Sequence, residues 1–164
     1  MRKIVVIAMI SLDGVMQAPG GPKEDTSGGF KYGGWTWPFA DDFSKEIFNK
    51  EFSGEYDLLL GRKTYDIWRD YWPTQKGVIA DPFNKATKYV VSHHDKDLTW
   101  DKSVLIDSLD KLKALKESDG PMLSVQGSSN MIQTLLKNDL VDELWLRIYP
   151  ITLGSGKRLF GDGT

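Results

Sequence analysis

Two short stretches of the sequence combine an apolar run, a glycine and the start of a helix-like repeat. In LLLGRKTYDIW two cations follow Gly61, and in MLSVQGSSNMIQTLL two serines follow Gly127. The first amides of a helix have no intrahelical acceptors and can bind an anion such as a phosphate. Each stretch therefore predicts a phosphate site where a strand ends and a helix begins.

Each junction also has an interpretation that needs no ligand. Ser128 or Ser129 could cap its helix through the hydroxyl oxygen, and Arg62 and Lys63 could be solvated side chains on an exposed turn. The helix dipole disfavours cations in a first turn, and a bound anion would remove that cost. The residues alone leave both interpretations open.

A third loop, VVSHHD, follows another apolar run and offers the hydroxyl of Ser92 and the imidazoles of His93 and His94. The carboxyl ends of parallel strands meet at one edge of a sheet, and ligands of open α/β sheets bind there. Three such loops together suit a ligand with several phosphates. A dinucleotide is the natural candidate.

Short apolar runs alternate along the chain with segments of helical spacing. The runs lie at 3–10, 56–61, 88–92, 103–106, 122–127 and 142–150. The helical segments contain the pairs Phe43/Ile47 and Phe48/Phe52, the repeat Leu109/Leu112/Leu115 and the stripe Met131/Ile132/Leu135/Leu136. This alternation predicts an α/β fold with a mostly parallel central sheet and helices on both faces.

Residues 11–39 interrupt this regularity with seven glycines and five aromatic residues. Long structureless stretches within a domain are usually functional or disordered, and the aromatic residues argue against disorder. One interpretation is a glycine-hinged lid that closes over a ligand and excludes water. The other is that the aromatic side chains cover an exposed edge of the core.

Composition narrows the function further. A chain of 164 residues fits one domain, 1–164, and a net charge of −2 excludes the basic field that nucleic-acid binding needs. Without cysteine, and with its two histidines adjacent, the sequence shows no metal-ligand spacing, and it fits a reducing, cytoplasmic compartment. No stretch approaches the roughly 18 apolar residues of a membrane span.

Four motifs occur in an order that resembles a known superfamily: SLDGVMQ, LLLGRKTYDIW, VQGSSNMIQTLL and VDELWLRIYPITLGSGKRLF. The set resembles the dihydrofolate-reductase-like superfamily over nearly the whole chain. It is most similar to the stand-alone proteins grouped with the C-terminal reductase domain of the bifunctional riboflavin-biosynthesis deaminase-reductase. The resemblance implies a three-layer sandwich fold.

The resemblance also implies NADPH as the cofactor. It assigns 61–64 to the 2′-phosphate and pyrophosphate, 92–93 to the adenosine end, 127–131 to the pyrophosphate and the approach to nicotinamide, and the backbone at 8–9 to the carboxamide. The implied cofactor-binding residues are Ala8, Met9, Gly61, Arg62, Lys63, Thr64, Ser92, His93, Gly127, Ser128, Ser129, Asn130 and Met131.

The residues expected to contact the substrate differ from the patterns of both the dihydrofolate reductases and the riboflavin reductases of this superfamily. Dihydrofolate reductases carry an acidic residue two positions after a proline, whereas Asp41 and Asp42 stand three and four positions after Pro38. The riboflavin reductases usually carry an Asp-Asp-Pro stretch followed by an arginine, and here Asp81-Pro82 is followed by Lys85. We expect Asp41, Asp42 or a water that they position to supply the proton, and the substrate is left open.

These observations predict an NADPH-dependent reductase that transfers hydride to a C=N carbon of a ribosylaminopyrimidine- or pterin-like small molecule. The alternative is a dinucleotide-binding or sensing module without catalysis. The superfamily closes its sheet with a further C-terminal hairpin, whereas this sequence ends at FGDGT. Because DELWLRIYP would then form an edge strand with two distinct faces, we expect a homodimer.

Overall fold

The computed structural model describes residues 1–94 and 97–162, in which six strands form one sheet. The strands are β1 (Ile4–Ser11), β2 (Tyr56–Gly61), β3 (Lys88–Val91), β4 (Ser103–Ile106), β5 (Met122–Val125) and β6 (Glu143–Tyr149). Their order is β4-β3-β2-β5-β1-β6, and every pair of these strands is parallel. The strands predicted from the apolar runs are confirmed, with ends that differ by at most two residues.

Five helices connect the strands within the described ranges. They are α1 (Asp42–Glu51), α2 (Arg62–Tyr71), α3 (Ala80–Lys85), α4 (Leu109–Glu117) and α5 (Ser129–Lys137). Short 3-10 turns lie at Ser27–Gly29, Trp37–Phe39 and Trp72–Thr74. None of the helices in the described ranges is both long and apolar enough to cross a membrane.

The two faces of the sheet bury different side chains because successive residues of a strand point to opposite sides. Ile4 and Val6 pack on one face with Leu112 of α4 and Ile132 of α5. The opposite face carries Val5 and Ile7 with aromatic side chains from α1, α2 and α3. Helices therefore cover both faces, as the sequence predicts for the dihydrofolate-reductase-like sandwich.

The long segment after β1 packs as two parts. Val15, Ala18, Phe30 and Trp35 form a third buried cluster, against which Tyr149 packs. The remaining part, with Met16 to Asp25 and Trp37, lines the large cavity described below. The buried cluster thus covers the core, whereas the residues that line the cavity are candidates for a lid whose closure over a ligand stays a prediction.

Residues 150–160 hold this segment in place. The amide of Leu12 donates to the carbonyl of Ile151 at 2.8 Å, and the amide of Leu159 donates to the carbonyl of Gly14 at 3.0 Å. Gln17 accepts from the amide of Lys157 at 3.0 Å and donates to the carbonyls of Asp25 and Ser27. A buried glutamine thus fixes the fold of the lid, which we define as residues 16–25.

Candidate active site

A cavity of about 800 Å³ opens at the carboxyl edge of the sheet. Its floor includes Ala8 and Met9 of β1 and residues 126–129 after β5, and the lid covers it from one side. Residues of α1, α2 and α3 form the opposite side. The cavity thus lies where parallel strands end, which is the usual ligand position in such sheets.

The β2–α2 and β5–α5 junctions meet at the edge of this cavity. The amide of Gly61 donates to the carbonyl of Gly127 at 3.0 Å. A Cβ on Gly61 would stand 2.8 Å from the amide nitrogen of Ser128, and a Cβ on Gly127 would stand 2.5 Å from Oγ1 of Thr64. The two helix starts can approach this closely only because glycine occupies both positions.

The helices that begin at this contact have no side-chain cap in the described structure. Gly61 is the N-cap of α2, and the hydroxyl of Ser128, the N-cap of α5, accepts from no amide of its helix. By contrast, Asp41 caps α1 through the amide of Ser44 at 2.7 Å, and Ser108 caps α4. The first amides of α2 and α5 are therefore left to a ligand or to water, which fits an anionic group.

The loop after β3 contacts the first of these junctions, β2–α2, on the side away from β5. Nη1 of Arg62 donates to the carbonyl of His94 at 3.3 Å, while Nε of Arg62 contacts both carboxylate oxygens of Asp66 at 3.0 Å. Ser92 accepts from the amide of His94 at 3.1 Å. The structure thus brings together the three loops that the sequence predicts to be neighbours.

Three charged side chains connect the lid to α2 and to the C-terminal segment. Asp25 pairs with Nζ of Lys63 at 3.0 Å and with Nζ of Lys157 at 2.6 Å. Burial alone would raise the pKa of Asp25, but the hydrogen bonds from Lys157, Ser27 and Lys63 outweigh it and hold the pKa below its usual range. Asp25 is therefore ionised and anchors the lid electrostatically.

Glu24, beside Asp25, also lines the cavity but is in a different state. Its Oε2 accepts from the amide of Gly20 at 2.7 Å, and burial raises the pKa of its carboxyl group. Two neighbouring carboxyl groups of the lid thus differ in their affinity for a proton. Such a pair is typical of sites that hold one charge and donate one proton.

Five aromatic side chains form one continuous wall of the cavity, and we call this set the aromatic wall. Its members are Phe48, Phe52, Trp68, Trp72 and Phe83. Trp68 stacks on Phe83 with ring centroids 5.0 Å apart, and Phe52 and Trp72 meet Phe83 edge-on at 5.4 and 5.1 Å. The wall offers a flat, apolar surface to a ligand.

Two buried donors lie at this side of the cavity. Nε1 of Trp72 and Nε2 of Gln126 are inaccessible to solvent and have no hydrogen-bond partner within the described residues. Gln126 continues the alternation of Met122 and Ser124, which points to the face of the sheet that carries the aromatic wall. Because these two nitrogens are inaccessible even to water, they are buried polar groups without a partner and do not by themselves mark a ligand position.

A family model matches almost the whole chain. The RibD C-terminal domain model covers residues 2–164. The chain belongs to the RibD C-terminal domain family. This assignment agrees with the order of strands and with the position of the cavity.

Two proteins of Bacillus subtilis (strain 168) are relatives of this RibD C-terminal domain. Uncharacterized protein YyaP is 26% identical, and the match covers 98% of this chain and 81% of YyaP. Uncharacterized protein YwjB is 28% identical, and the match covers 99% of this chain and 85% of YwjB. Neither name states an activity.

Two solved structures share the fold. A dihydrofolate reductase from Enterococcus faecalis, complexed with NADP(H) and RAB-propyl, has a TM-score of 0.63 at 14% identity and covers 97% of this chain and 77% of its own. A Shewanella sp. PV-4 protein named for riboflavin biosynthesis has a TM-score of 0.66 at 23% identity, with coverages of 98% and 84%. The RibD C-terminal domain thus has the dihydrofolate-reductase-like α/β fold.

The predicted cofactor residues divide by their position in this fold. Those that line the cavity are Ala8, Met9, Lys63, Thr64, Gly127, Ser128 and Ser129. Gly61 ends β2 and Arg62 begins α2, whereas Ser92 and His93 lie in the loop after β3. Asn130 is exposed in the first turn of α5, whereas the side chain of Met131 is 5% exposed and packs in the core. Only backbone groups of Met131 remain for a ligand.

The structure places Asp41 and Asp42 apart from the cavity. The carboxylate of Asp41 is engaged as the N-cap of α1, and the Ser44 contacts hold its pKa below the usual value. The side chain of Asp42 is 98% exposed and pairs with Lys45 at 2.9 Å. The cavity-facing side chains of the helix begin at Phe48, almost two turns later, so both carboxylates stand at its outer end.

Several cavity residues have no signal in the sequence that would identify them. Glu24, Asp25 and Lys157 are ordinary charged residues in irregular segments, and they come together through long-range packing. Gln126 is the exception, because a polar residue at an inward position after an apolar strand is unusual enough to mark a site. The spacing of apolar residues predicts helices with an apolar face, but it does not predict that these faces border a cavity.

Replacing Gly127 with alanine tests the close contact of the two junctions. Gly127 has φ 151°, and its added Cβ would press on Oγ1 of Thr64 at 2.5 Å. We expect Gly127→Ala to lower the free energy of unfolding by about 1–3 kcal/mol, the usual cost of such backbone strain. Urea denaturation measures this change.

Gly54→Ala is the matched control. No atom lies within 4 Å of a Cβ at Gly54, so this change should leave the urea midpoint nearly unchanged. Equal midpoints for both variants would contradict the close contact.

Proposed function

We propose that this RibD C-terminal domain is an NADPH-dependent reductase that transfers hydride to a C=N carbon of a ribosylaminopyrimidine- or pterin-like molecule. The observation that carries the proposal is the meeting of two uncapped helix starts at one cavity with an apolar aromatic wall. Family membership supports a reductase-type fold. The NADP(H) complex of the Enterococcus faecalis neighbour supports the choice of cofactor.

The chain's own residues fit a dinucleotide with phosphates. The amides of 62–64 and 129–131 would bind the phosphates, because the capping groups that would otherwise occupy them are missing from the described structure. Arg62, Ser92 and His93 would hold the adenosine end. The backbone at Ala8 and Met9 would hold the carboxamide, where β1 ends beside the cavity.

NADPH supplies the hydride when it is bound. The protein orients the two reactants and excludes water with the lid, which Asp25 holds against Lys63 and Lys157. Reduction of a C=N bond adds hydride to carbon and a proton to nitrogen, so the site also needs an acid. Glu24 is the carboxyl group with a raised pKa among the described cavity residues, and we assign the proton to it.

Steady-state measurements test the reductase against the non-catalytic module. We expect NADPH oxidation, followed by absorbance, with at least one C=N substrate from a panel of pterins and ribosylaminopyrimidines. Tight NADPH binding without turnover across the panel would favour the sensing module. Absence of NADPH binding would overturn both.

Arg62→Ala tests the assignment of the 2′-phosphate. A guanidinium bonded to that phosphate makes charge-assisted hydrogen bonds that NADH does not offer. Such bonds contribute about 1.5–3 kcal/mol, so NADPH binding should weaken by roughly one to two orders of magnitude while NADH binding barely changes. The preference should decrease as salt concentration rises.

Arg69→Ala is the matched control for this measurement. Arg69 lies two turns further along α2, contacts Asp66 at 3.7 Å and does not line the cavity. Both dissociation constants are measured by nicotinamide fluorescence. An equal loss for the two cofactors in Arg62→Ala would exclude Arg62 from 2′-phosphate recognition.

Glu24→Gln tests the source of the proton. Because burial raises the pKa of Glu24, its acid form persists to higher pH, and turnover should fall as pH rises through that pKa. Glu24→Gln should lower turnover by roughly 10²–10⁴ and remove this limb of the pH profile, with NADPH affinity intact. Glu46→Gln, an exposed position on α1, is the control.

The double variant Asp41→Asn/Asp42→Asn tests the alternative source of the proton in the same experiment. If turnover falls in the double variant but not in Glu24→Gln, the proton comes from Asp41, Asp42 or a water that they position at the start of α1. Because Asp41 caps that helix, the thermal midpoint is measured in parallel.

We also propose a homodimer through β6, which is an edge strand of the described sheet. Ile148 and Leu144 of this strand are 60% and 38% exposed, and an uncovered edge strand with apolar side chains readily pairs with another chain. Light scattering at high micromolar concentration should give the mass of a dimer, and Ile148→Glu should give a monomer. Val104→Glu on β4, at the other edge, should leave the dimer intact; a monomeric wild type would contradict the proposal.

A further inference from the structure

Asp25 of the lid lies between two ammonium groups at the cavity. Its Oδ1 stands 3.0 Å from Nζ of Lys63, and its Oδ2 stands 2.6 Å from Nζ of Lys157. All three side chains line the cavity, and we call them the charge cluster. Because two cations share one carboxylate, the charge cluster keeps one net positive charge.

Lys63 is the member of the charge cluster that stands nearest in the chain to the contact of the two helix starts. It lies in the first turn of α2, and a Cβ on Gly127 would meet the next residue, Thr64. The helix dipole disfavours a cation in a first turn, so an anion beside Lys63 stabilises it. In the described structure that anion is Asp25. A ligand phosphate at the same place would offer at least as much negative charge.

Asp25 keeps other partners if Lys63 leaves it. Its carboxylate accepts from the amide of Ser27 at 3.0 Å and pairs with Lys157. The side-chain amide of Gln17 donates to its carbonyl at 3.1 Å. A largely buried carboxylate without any partner would be strongly unfavourable. Since Ser27 and Lys157 remain, Lys63 can exchange Asp25 for a ligand without leaving that charge unpaired.

The first part of the lid is also held independently of Lys63. Successive carbonyl groups of residues 17–20 accept hydrogen bonds from residues 34–37, which precede α1. The pairs are Gln17 with Nε1 of Trp35 at 2.8 Å, Ala18 with the amide of Gly34 at 2.8 Å, Pro19 with Oγ1 of Thr36 at 2.7 Å and Gly20 with Nε1 of Trp37 at 3.0 Å. The exchange at Lys63 therefore needs movement of its side chain and not of this backbone.

Lys23 is the other cation to which a phosphate in the cavity could bind. It lines the cavity, is exposed and has no ion pair among the described residues. A free lysine side chain loses rotamer freedom when it binds an anion. Lys63 is already held by Asp25 and by the hydroxyl of Ser27 at 2.7 Å, so it loses less. The tests below therefore compare Lys63 with Lys23.

We propose that Asp25 competes with a ligand phosphate for the ammonium group of Lys63. When the phosphate binds, Lys63 pairs with it, and Asp25 stays with Lys157 and the amide of Ser27. This inference rests on the proposed function, in which NADPH supplies the phosphate, and it adds a residue that sets the affinity for that cofactor. Asp25 lowers the affinity, because its ion pair with Lys63 has to break first.

Asp25→Asn tests the competition. The amide keeps the size of the side chain and an acceptor for Ser27 but releases Lys63. Dissociation constants are measured for NADPH by nicotinamide fluorescence and for inorganic pyrophosphate by calorimetry. Both should fall about fivefold, the upper range for one partly exposed ion pair. An unchanged or raised dissociation constant for pyrophosphate would overturn the inference.

A double-mutant cycle with Lys63→Met separates competition from general charge repulsion. Without the Lys63 ammonium there is nothing to compete for, so adding Asp25→Asn to Lys63→Met should change the dissociation constant of pyrophosphate by less than about twofold. An equal gain from Asp25→Asn in both backgrounds would show that the carboxylate only repels the anion, and it would overturn the inference.

Lys23→Met tests the alternative cation. The gain from Asp25→Asn should persist in a Lys23→Met background. If the gain disappears there and persists with Lys63→Met, the phosphate binds Lys23 and the inference is wrong.

Asp107→Asn is the control for the loss of one negative charge. Asp107 pairs with Lys111 at 2.7 Å and lies outside the described lining of the cavity, so the dissociation constants should stay at the wild-type values. Thermal midpoints confirm that each variant folds. Asp25→Ser repeats the cycle if Asp25→Asn does not fold.

Pyrophosphate separates this inference from the proposed function. If NADPH binds no variant, the proposed reductase fails, and the pyrophosphate cycle still decides whether Asp25 competes for Lys63. If NADPH is oxidised with a substrate but the cycle shows no coupling between Asp25 and Lys63, the reductase stands and this inference fails. Absence of pyrophosphate binding at millimolar concentration in both the wild type and Asp25→Asn would also overturn it.

Discussion

The contact between Gly61 and Gly127 is the constraint on which the site depends. β2 and β5 are neighbours in the sheet, and their following helices start within hydrogen-bonding distance of each other. A side chain at either glycine would push the helix starts apart. Because they stay together, two sets of uncapped amides face one region, and their partial positive charges add. A polyanionic ligand would therefore gain the most binding free energy in this region.

The lid depends on the same region through charge. Asp25 lies between Lys63, which follows Gly61 in α2, and Lys157 of the C-terminal segment. The side chain of Asp25 is only 12% exposed, and the two ammonium groups keep its carboxylate ionised there, so that it can hold an irregular loop. Glu24, one residue away, is buried against the loop backbone and has a raised pKa. One short stretch therefore contains an ionised anchor and a carboxyl group that holds its proton to higher pH.

The alternation of side chains along the strands decides which residues face the cavity. Odd-numbered positions of β1 and even-numbered positions of β5 point toward α1, α2 and α3, whose inward residues are aromatic. Gln126 stands at the next position of that series and lines the cavity, with its amide nitrogen buried and without a partner in the described residues. The charged side chains of the cavity come from the lid, the first turn of α2 and the C-terminal segment, while α1, α2 and α3 contribute the aromatic wall.

The sequence alone determined the strands, the parallel α/β architecture and the family, because strand periodicity and glycine at a strand–helix junction are local properties. It also predicted that the loops after β2, β3 and β5 would be neighbours, since parallel strands end at one edge. The tertiary structure alone decided which residues of 11–39 cover the core and which line the cavity. It placed Asp41 at a helix cap, joined Asp25 to Lys63 and Lys157, and placed Gln126 in the lining of the cavity. The ion pairs of Asp25 join residues more than 30 positions apart, which no short sequence pattern can show. For Asp41, the sequence alone does not show whether the carboxylate caps a helix or faces the cavity.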